Sequence, residues 1–395
     1  MINFCFDKIN GDDFSPNLAA DCEVDQCAVT YPFSDYPRLL EYLDQEQIEY
    51  GLYSTLDAPK DSFYFINVNY FDHSIDWYDL MPVHTFNAIK NKKYKLIFFD
   101  CEPEIVDIKH TLQQLVEKHN VDHPQFICHS TLASKLPNFH YFNDDELLYR
   151  SAQNYSKHQS IWHNNHRSKK FTFLVRRHKN WRLSVAADFW SSQLHNDSYF
   201  SYNGIDAGHG GPEDATIYDI NLDNNPLQLD NIDAMADFTN QMPFNCDAQS
   251  DELHDDYENH IDKFYSDAYW NIVLETYVNL EGTIGSFITE KTFKPIRHNQ
   301  AFIIIGTIGS LSHLRELGYK TFDGIIDESY DYIKNDLQRY HAVRNVIHDL
   351  AAKSSNEFQE INQQVKPIVE HNSALFNASK KHRLEKLINN LLSDP

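Results

Sequence analysis

Residues 283–311, which read TIGSFITEKTFKPIRHNQAFIIIGTIGSL, carry the strongest structural pattern of the chain. A short helical run begins at the polar quartet of residues 289–292, an apolar strand follows at residues 301–305, and a glycine-bearing turn follows at residues 306–309. A helix that leads into a buried strand is typical of α/β proteins with parallel sheets. Thr289 is a suitable N-cap, and the next residue, Glu290, falls in the first turn, where the helix dipole favours a negative charge.

The same quartet predicts a binding site for anions and hydroxyl groups. Backbone N–H groups at a helix start have no partner within the helix, so they attract phosphate or carboxylate groups. The Glu290 carboxylate is placed to accept hydrogen bonds from two neighbouring sugar hydroxyls, while Lys291 is placed to contact a phosphate. The alternative is an ordinary capped helix whose charges point into solvent.

Strands and helices alternate over the first part of the chain. Residues 62–68 and 94–99 have the apolar composition of buried strands, and residues 106–119 have helical spacing of apolar positions. Such alternation predicts parallel strands joined by crossover helices. The predicted fold class is therefore α/β, with parallel sheets.

A polar, His- and Asn-rich segment at residues 151–168 predicts a boundary between two domains. The length of 395 residues agrees with two domains. We expect residues 1–160 to form an N-terminal domain and residues 161–395 to form a C-terminal one. The second domain would begin with the strand at residues 171–175 and end in a mostly helical tail.

The charge of the chain argues against a nucleic-acid partner. A net charge of −24 opposes a phosphate backbone, which needs clustered lysine and arginine. Against this background, residues 167–182 hold seven basic residues and no acid. Arg176 and Arg177 directly follow the predicted strand at residues 171–175, and open α/β sheets bind ligands beyond the carboxyl ends of their strands. These arginines are predicted to hold a phosphate or carboxylate, and a solvated basic face is the alternative.

Residues 202–256 are rich in Asp, Asn and Gly and have weak periodicity, which is typical of a functional or disordered loop. A carboxylate of this loop is suited to attack a sugar carbon or to deprotonate a hydroxyl. Spacing does not decide between the candidates, which are Asp214, Asp230, Asp233 and Asp237. His209 lies next to glycines and is a candidate acid, phosphate ligand or turn residue.

Several other classes of protein lack support. The chain has no H-E-x-x-H or C-x-x-C pattern, so no metal is expected, and no Walker A, G-x-S-x-G or G-x-G-x-x-G motif. The six cysteines are scattered, which favours free thiols in a reducing compartment. Neither a signal peptide nor an apolar stretch near the ~20 residues of a membrane span is evident. We therefore expect a cytoplasmic protein, with peripheral membrane contact left open.

Residues 287–331 resemble the donor-binding segment of GT-B glycosyltransferases. Their T-E-K portion resembles fucosyltransferases, and nearly the whole chain is similar to the retaining β-Kdo transferases of lipopolysaccharide assembly. The similarity is most specific at residues 171–182 and 286–331. It implies two Rossmann-like domains in a GT-B-like arrangement with a deep interdomain cleft, in which the first domain binds the acceptor and the second the nucleotide sugar.

The resemblance also implies a CMP-Kdo donor and transfer of Kdo, with retained configuration, through a covalent Asp–Kdo adduct. The nucleophile would be Asp233, on a loose match, with Asp230 as the lower-ranked competitor and His209 as a further catalytic candidate. The donor-binding residues would be Arg176, Arg177, Ser286, Thr289, Glu290, Lys291 and Thr292. Metal is then dispensable, because cationic side chains and helix N–H groups stabilise the leaving phosphate.

The acceptor implied by the family is a saccharide, expected to be lipid-linked, in O-antigen or capsule synthesis, and fused transferase domains would be compatible with this role. Two other functions stay open at this point. An inverting, fucosyltransferase-like enzyme would use a GDP-sugar, with an Asp as general base and no adduct. A non-catalytic carbohydrate-binding domain would bind saccharide without releasing CMP.

Overall fold

The computed structural model describes residues 2–6, 8–9, 13–14, 38–68, 76–79, 81–100, 105–143, 146, 166–175, 178–202, 227, 232–244, 246, 262–278 and 285–393. Its strands are β1 (Ile2–Phe6), β2 (Lys8–Ile9), β3 (Asp13–Phe14), β4 (Tyr50–Ser54), β5 (Ser62–Val68), β6 (Tyr94–Asp100), β7 (Gln125–Cys128), β8 (Phe139–Tyr141), β9 (Lys169–Val175), β10 (Ser198–Tyr202), β11 (Ala268–Leu274) and β12 (Ala301–Ile305). Its α-helices are α1 (Arg38–Gln45), α2 (Val83–Lys90), α3 (Ile105–His119), α4 (Asn180–Ser191), α5 (Ile232–Thr239), α6 (Asp262–Ser266), α7 (Glu290–Arg297), α8 (Ser310–Glu316), α9 (Asp336–Ala351), α10 (Ser355–Asn377) and α11 (Lys381–Ser393).

The chain divides into two compact units. The first unit consists of Met1–Leu147, Glu281–Gly285 and Ser379–Pro395, and the second of Leu148–Leu280 and Ser286–Ala378. The sequence pattern assigned the whole helical tail to the second domain. In the structure, the last helix, α11, belongs to the first unit.

The first unit is built on a six-stranded parallel sheet in the order β4-β1-β5-β6-β7-β8. Strand β5 shows why the sheet is buried on both faces. Phe63 and Phe65 pack in one apolar cluster, which also takes in side chains of α1 and α11, while Tyr64 and Ile66 pack in another, with side chains of α3. A parallel sheet covered on both faces has nearly continuous apolar strands, as SFYFINV is here.

The second unit is built on a four-stranded parallel sheet in the order β10-β9-β11-β12. Strands β11 and β12 are buried along their whole length. When only the strands of one sheet are counted, in chain order, each of the two parallel sheets begins with the order second–first–third–fourth strand. The connections therefore reverse direction beside the first strand of each sheet, which is where doubly wound α/β proteins bind ligands. The chain is thus an α/β protein with two parallel sheets, compatible with two Rossmann-like domains.

The sequence predicted most of these elements closely. Strands β5 and β12 have the predicted bounds, and α3 begins one residue before the predicted start. The sequence predicts regular structure from residue 272 to residue 278, whereas strand β11 runs from Ala268 to Leu274. The reason is Asn271, a polar residue that interrupts the apolar pattern but is buried, with its amide donating to Gln300 Oε1 at 3.1 Å.

The helical tail was predicted correctly as secondary structure. Helix α10 begins with a capping box, in which the side chains of Ser354 and Glu357 each bind the other residue's backbone N–H. Among the described residues, no helix has both the length and the apolar character required to cross a membrane. The sequence also predicts regular structure at residues 321–326, whereas these residues form a turn with a bridge between Asp323 and Ile326.

Candidate functional site

The candidate site lies at the carboxyl edge of the sheet in the second unit. Glu275 directly follows β11 and is fully buried. The chain then returns at residues 285–289 and begins α7 at Glu290, with Thr289 as N-cap. The turn that follows β12, at residues 306–309, lies at the same edge, because parallel strands end on the same side of a sheet.

Glu275 organises the start of α7. Its carboxylate accepts hydrogen bonds from Thr289 N at 3.1 Å, Thr289 Oγ1 at 2.6 Å, Thr292 Oγ1 at 2.6 Å and Thr276 N at 3.2 Å. Thr289 Oγ1 in turn accepts a hydrogen bond from Lys291 N at 3.4 Å. The hydroxyls of Thr289 and Thr292 are therefore engaged within the protein, and an internal carboxylate occupies much of the anion-binding capacity of this helix start.

Glu290 and Lys291 are the half-buried polar groups that this arrangement leaves at the surface. Lys291 Nζ donates to Glu290 Oε1 at 2.8 Å and to the hydroxyls of Thr276 and Thr289, each at 3.1 Å. Burial acts to raise the pKa of Glu290, but the charges of Lys291 and Lys294 and hydrogen bonds from Lys291 and Thr289 outweigh it and lower this pKa to about 2. Glu290 is therefore an ionised acceptor at neutral pH, next to a fixed ammonium group.

A second lysine approaches the same place from the end of β9. Lys179, the N-cap residue of α4, donates from Nζ to Thr276 O at 3.0 Å, and its ammonium lies 4.5 Å from the ring centroid of Tyr277. Lys291 also binds Thr276, through its hydroxyl. The loops after β9 and β11 thus meet at the point where the strand order reverses, and Lys179 and Lys291 of α7 both bind Thr276 there.

Arginines fix the backbone of this edge. Arg182, which is 4% exposed, donates to Glu275 O at 2.7 Å. Arg339 donates to Gly306 O at 3.2 Å and to Val278 O at 2.5 Å, so it links the loops that follow β12 and β11. These buried guanidinium groups donate hydrogen bonds to backbone carbonyl oxygens and thereby fix the loops that form the site.

The turn after β12 is tied to the segment that precedes α7. Ser286 Oγ donates to Ile308 O at 3.2 Å, and Phe287 N donates to Thr307 Oγ1 at 3.2 Å. Gly309 has φ +78°, and a Cβ atom at this position would lie 3.0 Å from Ser286 Oγ, so glycine is required both by the backbone and by the close approach. Ser286 thus lies beside the turn after β12, and its hydroxyl donates to the backbone of that turn.

The remaining predicted residues are distributed as follows. Arg176, Arg177, His209 and Asp230 lie outside the described residues, as does Asp214. Asp233 and Asp237 are exposed on α5, and the structure describes no hydrogen bond or ion pair of either with another described residue. Met235, between them in sequence, is buried and accepts a hydrogen bond from Ser184 in α4 at 3.5 Å, so this part of α5 lies against the beginning of α4.

Glu275 is the residue of this edge that the sequence analysis missed. The available signal was an acid placed directly after the seven-residue apolar segment AYWNIVL, at the carboxyl end of a buried strand. The predicted bounds of the regular segment, residues 272–278, hid this signal because they put Glu275 inside the segment and not directly after it.

A separate polar cluster lies in the first unit, at the end of α3. Asp76, Asp79 and His119 each offer one possible metal-ligand atom, and these atoms lie within 4.8 Å of one another. Asp76 also accepts a hydrogen bond from Lys118 Nζ at 2.5 Å and from the backbone of Tyr78. Burial acts to raise the pKa of Asp76, but bonds from Lys118 and His119 outweigh it and lower this pKa. These charged contacts stabilise the C-terminus of α3, where cations are favoured.

The fold and the site together define an α/β protein with two doubly wound parallel sheets and an ordered Glu–Lys pair at the carboxyl edge of the second. No family model matches the chain, and a search of curated proteins found no match either.

Proposed function

We propose that the protein is a retaining glycosyltransferase that moves Kdo from CMP-Kdo to a saccharide acceptor. The observation that carries this proposal is the Glu290–Lys291 pair, held by buried Glu275 at the carboxyl edge of a doubly wound parallel sheet. In such folds this edge is the place where nucleotides bind. The similarity of residues 286–331 to donor-binding segments supports the same assignment.

The charges at this edge suit the donor. CMP-Kdo carries a phosphate and a sugar carboxylate, so a chain of net charge −24 needs local cations to hold it. Lys291 and Lys179 supply two such cations on either side of Thr276. The ionised Glu290 is suited to accept hydrogen bonds from the ribose hydroxyls. Ser286, Thr289 and Thr292 would then act by positioning this pair, and Arg176 and Arg177 would add cations beyond β9.

The chemistry needs a carboxylate near the anomeric carbon. An Asp oxygen attacks this carbon as the bond to the phosphate oxygen breaks, and CMP leaves with the electron pair. The acceptor hydroxyl then attacks the same carbon, the bond to Asp breaks, and the hydroxyl proton passes to a base. We assign the nucleophile to Asp233 in the first turn of α5, with Asp230 as the competitor and His209 as a candidate acid or base. Two displacements retain the configuration.

The arrangement proposed for the whole chain is GT-B-like. The second unit would bind the nucleotide, and the first would bind the acceptor, a lipid-linked saccharide of O-antigen or capsule synthesis, in the cytoplasm or at the inner membrane face. A metal ion is not required for this chemistry, because lysines, arginines and backbone amides can stabilise the leaving CMP.

Intact-mass spectrometry after incubation with CMP-Kdo tests this function. We expect a species heavier by one Kdo in the wild type and in Asp237→Asn, which alters an exposed acid one turn further along the same helix. Asp233→Asn should not form this species. If Asp230→Asn alone abolishes it, the nucleophile is Asp230. A wild type that forms no adduct, and whose thermal stability rises with GDP and not with CMP, would support the inverting, GDP-sugar-dependent alternative instead.

A further inference from the structure

An aromatic side chain stands exposed at the edge of the same site. Tyr332 is 67% exposed and Ile308 is 37% exposed, and among the described residues only Leu56, Val83 and Leu392 are other large apolar side chains with such exposure. Exposing a large ring to water costs free energy unless a ligand or partner covers it.

Backbone contacts fix the position of this pair. Gly309 N, next to Ile308, donates to Asp331 O at 2.9 Å, and the Asp331 carboxylate accepts hydrogen bonds from Leu311 N and Ser312 N, each at 2.8 Å. Tyr332 directly follows Asp331, so it lies beside the turn after β12. The same turn binds Ser286, three residues before the N-cap of α7. A band of residues therefore runs from Tyr332 through Asp331, the turn at residues 306–309 and residues 286–289 to Glu290 and Lys291, joined partly by hydrogen bonds and partly by the chain itself.

The hydroxyl end of the ring is held as well. Arg315 donates from one guanidinium nitrogen to Tyr332 Oη at 3.1 Å. The same guanidinium is fixed by Thr321 Oγ1 at 2.8 Å, by Ser312 Oγ at 3.1 Å and by buried Glu328 at 3.1 Å. An exposed tyrosine normally samples several rotamers, whereas this one is held in place with its ring in water. A ring that is already ordered loses little entropy when a flat ligand stacks on it.

We propose that Tyr332, together with the exposed Ile308 of the adjacent turn, is the stacking surface for the base of the bound nucleotide. The inference rests on the proposed function and names the part of the ligand that this end of the site takes. A ligand that covers both ends of the band must combine anionic and hydroxyl groups, facing Lys291 and Glu290, with a flat apolar group, facing Tyr332. A nucleoside phosphate has this composition.

Binding of CMP and of ribose 5-phosphate, which lacks the base, separates this contact from the rest of the site. Calorimetry with Tyr332→Ala should show CMP affinity reduced by about five- to a hundredfold, since stacking of one base on an aromatic side chain is worth that range. The affinity for ribose 5-phosphate should not change. Tyr332→Phe, which keeps the ring and loses the bond to Arg315, should bind CMP nearly as the wild type does. Leu56→Ala removes an exposed apolar side chain of the other unit and is the matched control.

The outcomes distinguish the two proposals. If the wild type binds CMP and Tyr332→Ala binds it equally well, the stacking surface is wrong while nucleotide binding stands. If Tyr332→Ala lost equal affinity for CMP and for ribose 5-phosphate, the stacking surface would also be wrong, because the ring would then affect the whole site and not the base alone. If the wild type binds no nucleotide, the proposed function fails, and the stacking surface with it.

Discussion

Glu275 and Thr289 are joined by two hydrogen bonds across fourteen residues of chain, from Thr289 N at 3.1 Å and from Thr289 Oγ1 at 2.6 Å. The carboxylate of Glu275 is fully buried, and all of its described partners are neutral donors at the start of α7 and in the adjacent loop. A buried carboxylate is tolerated when several donors, and the positive end of a helix, stabilise its charge. This relationship couples the end of β11 to the start of α7, and so determines where Glu290 and Lys291 stand.

Replacing Glu275 should therefore damage both stability and binding. Glu275→Gln puts an amide NH₂ group where the carboxylate accepts hydrogen bonds, so donors of Thr289 or Thr292 lose their acceptor. Hydrogen bonds to charged groups contribute about 1.5–3 kcal/mol each, and we expect a loss of at least about 2 kcal/mol in the free energy of unfolding. Urea unfolding gives this value, and calorimetry should show weakened CMP binding.

Glu316→Gln is the control for that experiment, because its carboxylate is 76% exposed and should alter neither property. Full CMP affinity in Glu275→Gln would show that the geometry of the Glu290–Lys291 pair does not depend on Glu275.

The Glu290 carboxyl should contribute to a pH dependence of stability. Its pKa in the folded protein is lowered to about 2, below its ordinary value of 4.5. The ionised form therefore stabilises the fold above about pH 4.5, and this contribution is lost as the pH falls toward 2. We expect the difference in unfolding free energy between the wild type and Glu290→Gln, on the order of 1–3 kcal/mol at pH 6, to shrink over this window. Urea titrations at several pH values measure it. A difference that stays constant from pH 6 to pH 2.5 would contradict the Glu290–Lys291 assignment.

Lys291 should carry part of the affinity for the nucleotide phosphate. Lys291→Met keeps the length of the side chain and removes its charge, so we expect CMP to bind about ten- to a hundredfold more weakly, as for a lost charge-assisted hydrogen bond. In the wild type, CMP at a hundred times its dissociation constant should stabilise the fold by about 2.7 kcal/mol, which thermal denaturation detects. Lys353→Met alters an exposed lysine of the second unit and serves as control. Unchanged CMP binding in Lys291→Met would place the phosphate elsewhere.

The sequence predicted local structure better than it predicted the site. Strands such as Ala301–Ile305 are apolar over their whole length, so composition alone locates them. The N-cap role of Thr289 was also predicted from local chemistry and is confirmed. The use of its hydroxyl was not predictable, because the partner, Glu275, lies fourteen residues earlier, at the end of a strand whose position was itself misjudged. Pairings between distant residues depend on sheet order, which no local pattern encodes.

The sequence likewise does not predict where the last helix, α11, packs. Helix α11 has an ordinary amphipathic pattern, and nothing within it indicates which unit it joins. In the structure, its buried positions Leu384, Leu387 and Leu391 pack in the apolar cluster of the first sheet, with Phe65. Next to this helix, Lys380 N donates to buried Glu46 at 3.0 Å. Contacts with residues of the first unit therefore determine which unit α11 joins, and the sequence of α11 alone does not indicate this.

A buried charge cluster holds this last helix in place and should be essential for the first unit. Lys380 Nζ lies 2.6 Å from Glu146 Oε1, with 3% and 1% of the two side chains exposed, and Arg383 binds the other oxygen of Glu146.

Glu146→Gln leaves the Lys380 ammonium buried without its anionic partner, which typically costs about 3–5 kcal/mol. We expect a lower urea midpoint and faster hydrogen exchange of the β1 amides, since β1 shares the apolar cluster with α11. Replacing the fully buried pair by apolar residues, Glu146→Leu with Lys380→Met, should recover part of this loss, because both fully buried charges are removed and the remaining Arg383 is 31% exposed to solvent. Lys366→Met, which removes one member of an exposed pair on α10, is the control and should leave the midpoint unchanged. If Glu146→Gln is no more destabilising than this control, the cluster does not anchor the helix.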